Sequence, residues 1–153
     1  LIGSIKENIT LANLKDYCKA NVFLDDKKEK SVSDGYIEKL NIRTTGRNKL
    51  TGELSGGNQQ KVVLARWMSI NPKLLIVDEP TRGIDVGAKE MIYKLLDEFA
   101  GQGNAVIMVS SEMPEILGMS DRVVVMHEGV MSGIFERQEL TQEIIMTAAT
   151  GMN

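Results

Sequence analysis

Two short stretches carry residue types that could do chemistry. Leu54-Ser55-Gly56-Gly57 puts a hydroxyl and two glycines just before a helix-like segment. Glycines let the backbone approach an anion closely, and a helix start offers unpaired N–H groups and the positive end of the dipole, so this loop suits a phosphate. Ser55 is also a natural helix N-cap, and a tight turn is the competing reading of the glycine pair. The second stretch is Asp78-Glu79, directly after the aliphatic run Leu74-Leu75-Ile76-Val77. Carboxylates at the C-terminal end of a buried strand stand where open α/β sheets bind ligands. There the first can hold Mg²⁺, often through water, and the second can orient or deprotonate an attacking water. Acidic residues also end strands without function, but Asp-Glu-Pro-Thr after four aliphatics is less common than either carboxylate alone.

Other candidates are weaker. Ser110-Ser111-Glu112 follows the apolar run Ala105 to Val109, where hydroxyls can meet a phosphate or, more commonly, cap a turn. Arg82-Gly83-Ile84-Asp85 leads into a helix at Val86, with Asp85 placed as its N-cap and a cross-interface role as the sharper alternative. His127 has no neighbour in sequence that suggests catalysis and reads as surface or structural. The run Lys27-Lys28-Glu29-Lys30 reads as a solvated face.

These residues need elements to hold them. Ser4-x-x-Glu7 is a capping box ahead of Ile5, Ile9, Leu11 and Leu14, and a second, charged helix is expected from Asp25 to Leu40. After Gly56-Gly57 comes a helix with Val63, Trp67 and Ile70 as its apolar face, stopped by Asn71-Pro72. Leu74 to Val77 reads as a strand buried on both faces. A helix with Ala88, Met91, Ile92, Leu95, Leu96 and Phe99 on one face follows, then a second buried strand, Ala105 to Val109. Pro114 marks a helix start, Glu128-Gly129 a hairpin turn between Val123–Met126 and Val130–Phe135, and a last helix is expected around Gln138 to Ala149. The alternation implies an α/β fold, mostly parallel with an antiparallel edge, joined to a small helical subdomain. The division is expected at 1–52 for the helical part and 53–153 for the α/β part.

Composition narrows the function. A chain of 153 residues with 42% hydrophobic and 25% charged residues suits one core. A net charge of −3 supplies no footprint for nucleic acid. Cys18 is the only cysteine and His127 the only histidine, so neither an internal disulfide nor a Cys/His zinc site is expected, and a reducing compartment fits. No apolar run approaches the roughly 20 residues that span a bilayer. The first residue is Leu and the chain enters at once into structured residues, which reads as a truncated chain.

With these residues in place, a resemblance follows. Leu54 to Lys61, then Leu74 to Asp78-Glu79-Pro80-Thr81, then Asp85, in that order and spacing, resemble the ATP-binding domains of ABC transporters. In detail, Asn58, Thr81 to Lys89, Ser110 to Glu115 and Met126-His127-Glu128-Gly129 look like the ATP-binding subunit of bacterial ribose, galactose and xylose importers, and like the C-terminal part of its second nucleotide domain. The resemblance implies ATP and Mg²⁺ as cofactors. It implies that Ser55, Gly56, Gly57 and Asn58 bind, in trans, an ATP held mainly by the other nucleotide domain. Asp78 would stand near Mg²⁺, Glu79 would be the general base, and Asp85 would belong to the interface loop. Ser111 occupies the position where many relatives carry a histidine that contacts the γ-phosphate, and Asn58 replaces the usual glutamine.

The implied partners are the other ATPase domain and the membrane permease subunits that would hold the protein at the inner face of the membrane. No Gly-x-x-x-x-Gly-Lys-Ser/Thr occurs in the chain, so the isolated chain is expected to be inactive. Sheet surface left bare by that missing portion is expected to favour self-association. A non-catalytic regulatory module is the alternative. A DNA-repair-type ATPase half is a third reading, opposed by the absence of heptads before Leu54 and by the acidic balance.

Overall fold

The computed structural model describes residues 2–19 and 23–151. Helix α1, Ile5–Thr10, starts on the expected capping box: Ser4 Oγ accepts from the Glu7 N–H, and the Glu7 carboxylate accepts from the Ser4 N–H at 2.7 Å. That backbone hydrogen bond holds the Glu7 carboxyl below its ordinary value. Ile5 and Ile9 are fully buried, whereas Leu11 and Leu14 lie exposed on a 3-10 segment, Leu11–Tyr17, kinked at Asn13. The kink ends the helical period, so the expected apolar run does not continue as one face. Two-residue strands β1, Cys18–Lys19, and β2, Phe23–Leu24, pair antiparallel, an element with too little sequence pattern to be foreseen.

Helix α2, Asp26–Lys39, matches expectation, with Asp25 accepting from the Lys27 and Lys28 N–H groups and Leu40 closing it. Its Lys-Lys-Glu-Lys run is not a uniformly solvated face. Glu29 is only 4% exposed and accepts from Thr10 Oγ1 at 2.8 Å and Lys6 Nζ at 3.3 Å. Burial of this carboxylate is tolerated because it is hydrogen-bonded and paired. Asp26, with Glu29 behind it, raises the Lys6 ammonium above its ordinary value.

Helix α3, Gly56–Met68, packs against α1. Its buried residues are Lys61, Val62, Leu64, Ala65 and Met68, while Trp67 is 48% exposed and Ile70 also lies open. The buried stripe has helical spacing but opens on a lysine, so it lies to one side of the expected Val63, Trp67 and Ile70 face. Asn8 explains the docking. Its amide donates to Thr51 Oγ1 at 3.0 Å, its carbonyl accepts from Arg66 Nε at 2.7 Å, and its Oδ1 accepts from the same guanidinium. One α1 side chain therefore ties α3 to the turn Thr51–Glu53 that leads into Leu54-Ser55.

Strand β3, Leu74–Asp78, pairs with β4, Ala105–Val109, through the crossover helix α4, Val86–Gly101, the connection that parallel neighbours need. The apolar face of α4 is buried as expected through Ile92, Leu95, Leu96 and Phe99. The strands differ from expectation. Leu75 and Val77 are buried but Leu74 is 46% and Ile76 64% exposed, and β4 has no fully buried residue. Both are aliphatic on both faces, yet burial in β3 alternates, so one face is covered and the other is open.

The chain divides into two compact units, residues 1–108 (unit 1) and residues 109–153. Helix α5, Met113–Met119, carries Pro114 in its first turn. Strands β5, Arg122–His127, and β6, Val130–Glu136, form the expected hairpin; Glu128 and Gly129 both have positive φ, 45° and 80°, which is the mirror-image turn whose twist suits paired strands. Helix α6, Gln142–Thr150, begins later than expected because Thr141 caps it after a 3-10 turn, Arg137–Glu139. His127 is structural: its Nδ1 lies 2.7 Å from the Ala149 carbonyl and holds α6 to the hairpin. Among the described residues no helix is long and apolar enough to cross a membrane.

Glu29→Ala should leave Lys6 and Thr10 without their buried acceptor and lower the stability of unit 1 by about 2 kcal/mol. Urea unfolding checks this, and a loss below about 0.5 kcal/mol would show the network to be idle.

Candidate functional site

The start of α3 has the features of an anion site. Ser55 takes an extended conformation, φ −60° and ψ 154°, in the N-cap position, but its hydroxyl caps no backbone group. Its carbonyl accepts from the Asn58 and Gln59 N–H groups, both at 2.9 Å. The N–H groups of Gly56 and Gly57 donate to nothing among the described residues. Ser55 and Gly56 are exposed and Gly57 is half-buried, at the positive end of a 13-residue helix. The approach to the loop is fixed from behind: Gln59 Nε2 donates to the Leu54 carbonyl at 2.8 Å, and Leu54 itself is buried.

The two glycines differ. A Cβ on Gly57 would meet Ile84 Cγ2 at 3.2 Å and Ala88 Cβ at 3.5 Å, whereas one on Gly56 would meet nothing within 4 Å. Gly57 thus lets α3 lie against the Arg82–Asp85 loop and the first turn of α4, and Gly56 leaves the solvent side open. The structure accordingly brings the signature-like loop beside the loop that carries Asp85. Asp85 accepts from the Ala88 N–H at 3.0 Å, the N-cap bond expected of it. Two turns precede it, Arg82 N–H to the Glu79 carbonyl and Ile84 N–H to the Thr81 carbonyl, each 3.2 Å.

Asp78 ends β3 exposed, and Glu79 turns the chain out of the sheet with φ 47°. A non-glycine residue in the left-handed region costs roughly 1–2 kcal/mol, and such strain concentrates where a side chain must be aimed. No group of three metal-ligating side chains occurs among the described residues. One exposed carboxylate such as Asp78 fits an ion held mainly by phosphates and water, as Mg²⁺ is, and does not fit an all-protein cage. Clefts of about 690 Å³, beside Arg47 and Glu53, and about 390 Å³, beside Lys61 and Met91, are lined by neither Ser55 nor Asp78-Glu79.

In the second unit, Ser110 Oγ accepts from the Glu112 N–H at 3.0 Å, the local turn bond that was the commoner expectation, and Ser111 is exposed. Sequence reasoning missed two supports of the loop. Arg43 donates its backbone N–H to Asn58 Oδ1 at 2.8 Å, a contact that no side-chain identity announces. Lys61, 6% exposed, donates to the Asn41 carbonyl at the end of α2 at 3.1 Å and approaches Met91 Sδ at 2.9 Å. Burial pushes its ammonium below the ordinary value, the Arg43 charge adds to this and Asp85 opposes it.

The model of the family described as ABC transporter matches residues 2–82, more than half of the chain and the whole of the signature-like loop and acidic pair. The chain belongs to the ABC transporter family. It is 53% identical over 150 residues to the ribose import ATP-binding protein RbsA of Clostridium perfringens strain SM101, covering 98% of this chain and 30% of that protein. To a putative ribose/galactose/methyl galactoside import ATP-binding protein of Rhizobium etli it is 55% identical over 151 residues, covering 99% and 29%. The chain thus spans about a third of the length of these ABC relatives. In fold it resembles a putative metal-chelate type ABC transporter in an inward-facing conformation, with TM-score 0.81, 18% identity and coverage of 99% and 59%. It also resembles the dimeric ATP-binding cassette MJ0796 bound to ADP and Pi, with TM-score 0.76, 22% identity and coverage of 88% and 56%.

Gly57→Val should crowd Ile84 and cost roughly 1–3 kcal/mol, while Gly56→Ala should change stability by less than about 1 kcal/mol. Equal urea midpoints for the two variants would contradict the separate roles assigned to the glycines.

Proposed function

We propose that this chain is part of the ATP-binding subunit of a bacterial sugar importer, and that its signature loop completes an ATP site in trans. The observation that carries the reading is the start of α3, where the Gly56 and Gly57 N–H groups donate to nothing among the described residues beside an exposed Ser55 whose hydroxyl caps no backbone group. Such donors suit a γ-phosphate oxygen delivered by another nucleotide domain that holds the rest of the ATP. Asn58 belongs to the same loop. The relatives' names, ribose and galactose import ATP-binding proteins, supply the sugar-import class.

The acidic pair divides its work. Asp78 would hold Mg²⁺ through water, the ion would neutralise phosphate charge, and Glu79 would be the general base for the attacking water. Asp85 lies in the loop that meets the facing domain, and Ser111 stands at the position that many relatives give to histidine. Residues 1–52 act as the helical, signature-side portion, and 53–153 as the α/β portion. Permease subunits anchor the assembly at the cytoplasmic face of the membrane. A second reading, a non-catalytic half-site that only closes on nucleotide, is favoured by one observation, the serine at 111.

In the full-length protein, Glu79→Gln should lower ATP turnover by about 10² or more; unchanged turnover would favour the non-catalytic reading. The isolated chain should show no Glu79-dependent turnover, and appreciable hydrolysis by it would overturn the requirement for a second domain. The exposed Leu74 and Ile76 side chains of β3 should also make the isolated chain self-associate. Sedimentation as a clean monomer at high concentration would contradict that.

A further inference from the structure

We propose that Asn58 is a positioning residue that turns the Ser55 hydroxyl into a fixed donor, through a one-way hydrogen-bond relay that begins at the Arg43 backbone. This inference rests on the phosphate reading of the α3 start. The relay follows from which atoms can only donate. The Arg43 N–H reaches the Asn58 amide at 2.8 Å, and because a backbone N–H has only a hydrogen to offer, the atom facing it must be Oδ1. That fixes the amide and turns Nδ2 toward Ser55 Oγ, also at 2.8 Å. Nδ2 has only hydrogens to give, so Oγ accepts.

A serine hydroxyl has one hydrogen and two lone pairs. With one lone pair engaged by Asn58, the hydrogen cannot point along that direction. Oγ accepts no bond from the α3 backbone, and no acceptor among the described residues takes the hydrogen. Ser55 is exposed, so the hydrogen is left for an incoming ligand, beside the Gly56 and Gly57 N–H groups. Donation from the amide also polarises the O–H bond and strengthens it as a donor. The usual arrangement at a helix start, in which the N-cap hydroxyl accepts from the backbone three residues on, is replaced by one in which the side chain at that place holds the hydroxyl.

Asn58 fits this task through its length. It stands three residues after Ser55, one turn along α3, and its short amide spans Arg43 on one side and Oγ on the other. Because Arg43 follows the C-terminal end of α2, the relay also links the orientation of the signature hydroxyl to the seating of α2. Lys61 makes a parallel tie from α3 to the Asn41 carbonyl, so a shift of α2 would disturb both.

The test is a double-mutant cycle in the full-length protein, reading kcat and KM for ATP. Ser55→Ala and Asn58→Ala should each lower kcat/KM roughly tenfold, the worth of one hydrogen bond to a charged oxygen. The double variant should lose no more than Ser55→Ala alone, because Asn58 acts only through Oγ. Asn58→Asp should lose more than Asn58→Ala, since a carboxylate accepts the Ser55 hydrogen and withdraws it from the ligand. If Asn58→Ala does not fold, Asn58→Gln, whose longer amide cannot meet both partners, takes its place in the same cycle. Additive losses, or a silent Asn58→Ala beside a damaging Ser55→Ala, overturn the relay and leave the phosphate reading standing. A silent Ser55→Ala overturns both.

Discussion

Backbone donors at the start of α3 have no acceptor within the described chain, and much of unit 1 is arranged so that they stay that way. A helix start buried without partners would cost several unmade hydrogen bonds, and a serine cap would engage one of its backbone donors. Here Ser55 is held off the backbone by Asn58, Gly56 leaves open space, and Gly57 allows the close approach of Ile84. Free donors in water are tolerated because water satisfies them; they gain a stronger acceptor only when a phosphate arrives.

Holding such a loop steady falls to polar groups inside the helical portion. Asn8 joins α3 to the turn before the loop through Arg66 and Thr51, and Glu29 joins α2 to α1 through Thr10 and Lys6. These buried groups are paired rather than solvated, so their geometry is specified where apolar packing alone would permit sliding. Lys61 extends the same logic from the signature helix to the end of α2 at the expense of a partly desolvated ammonium.

Much of this was legible in the sequence because it is local. The Ser4–Glu7 box, the Asp25 and Asp85 caps, the Glu128-Gly129 turn and the buried face of α4 depend on neighbours three or four residues away. What escaped depends on distant partners. Glu29 is buried because Thr10 and Lys6 are there to receive it, and α3 buries a stripe that begins with Lys61. The double-sided aliphatic pattern of β3 implies double burial, yet Leu74 and Ile76 lie open while Leu75 and Val77 are buried. At the site, the residue types and their order were visible, but the direction of each hydrogen bond was not. Arg43 entered through a backbone N–H, which every residue but proline has.

Hydrogen exchange at the backbone amides of Gly56 and Gly57 tests the central claim most directly, namely that these donors act on a nucleotide held by another domain. In the full-length protein both amides should become protected when ATP and Mg²⁺ are added and be released with ADP, and in the isolated chain ATP should leave them unprotected. Equal protection in the isolated chain, or none in the full-length protein under ATP, would contradict the account.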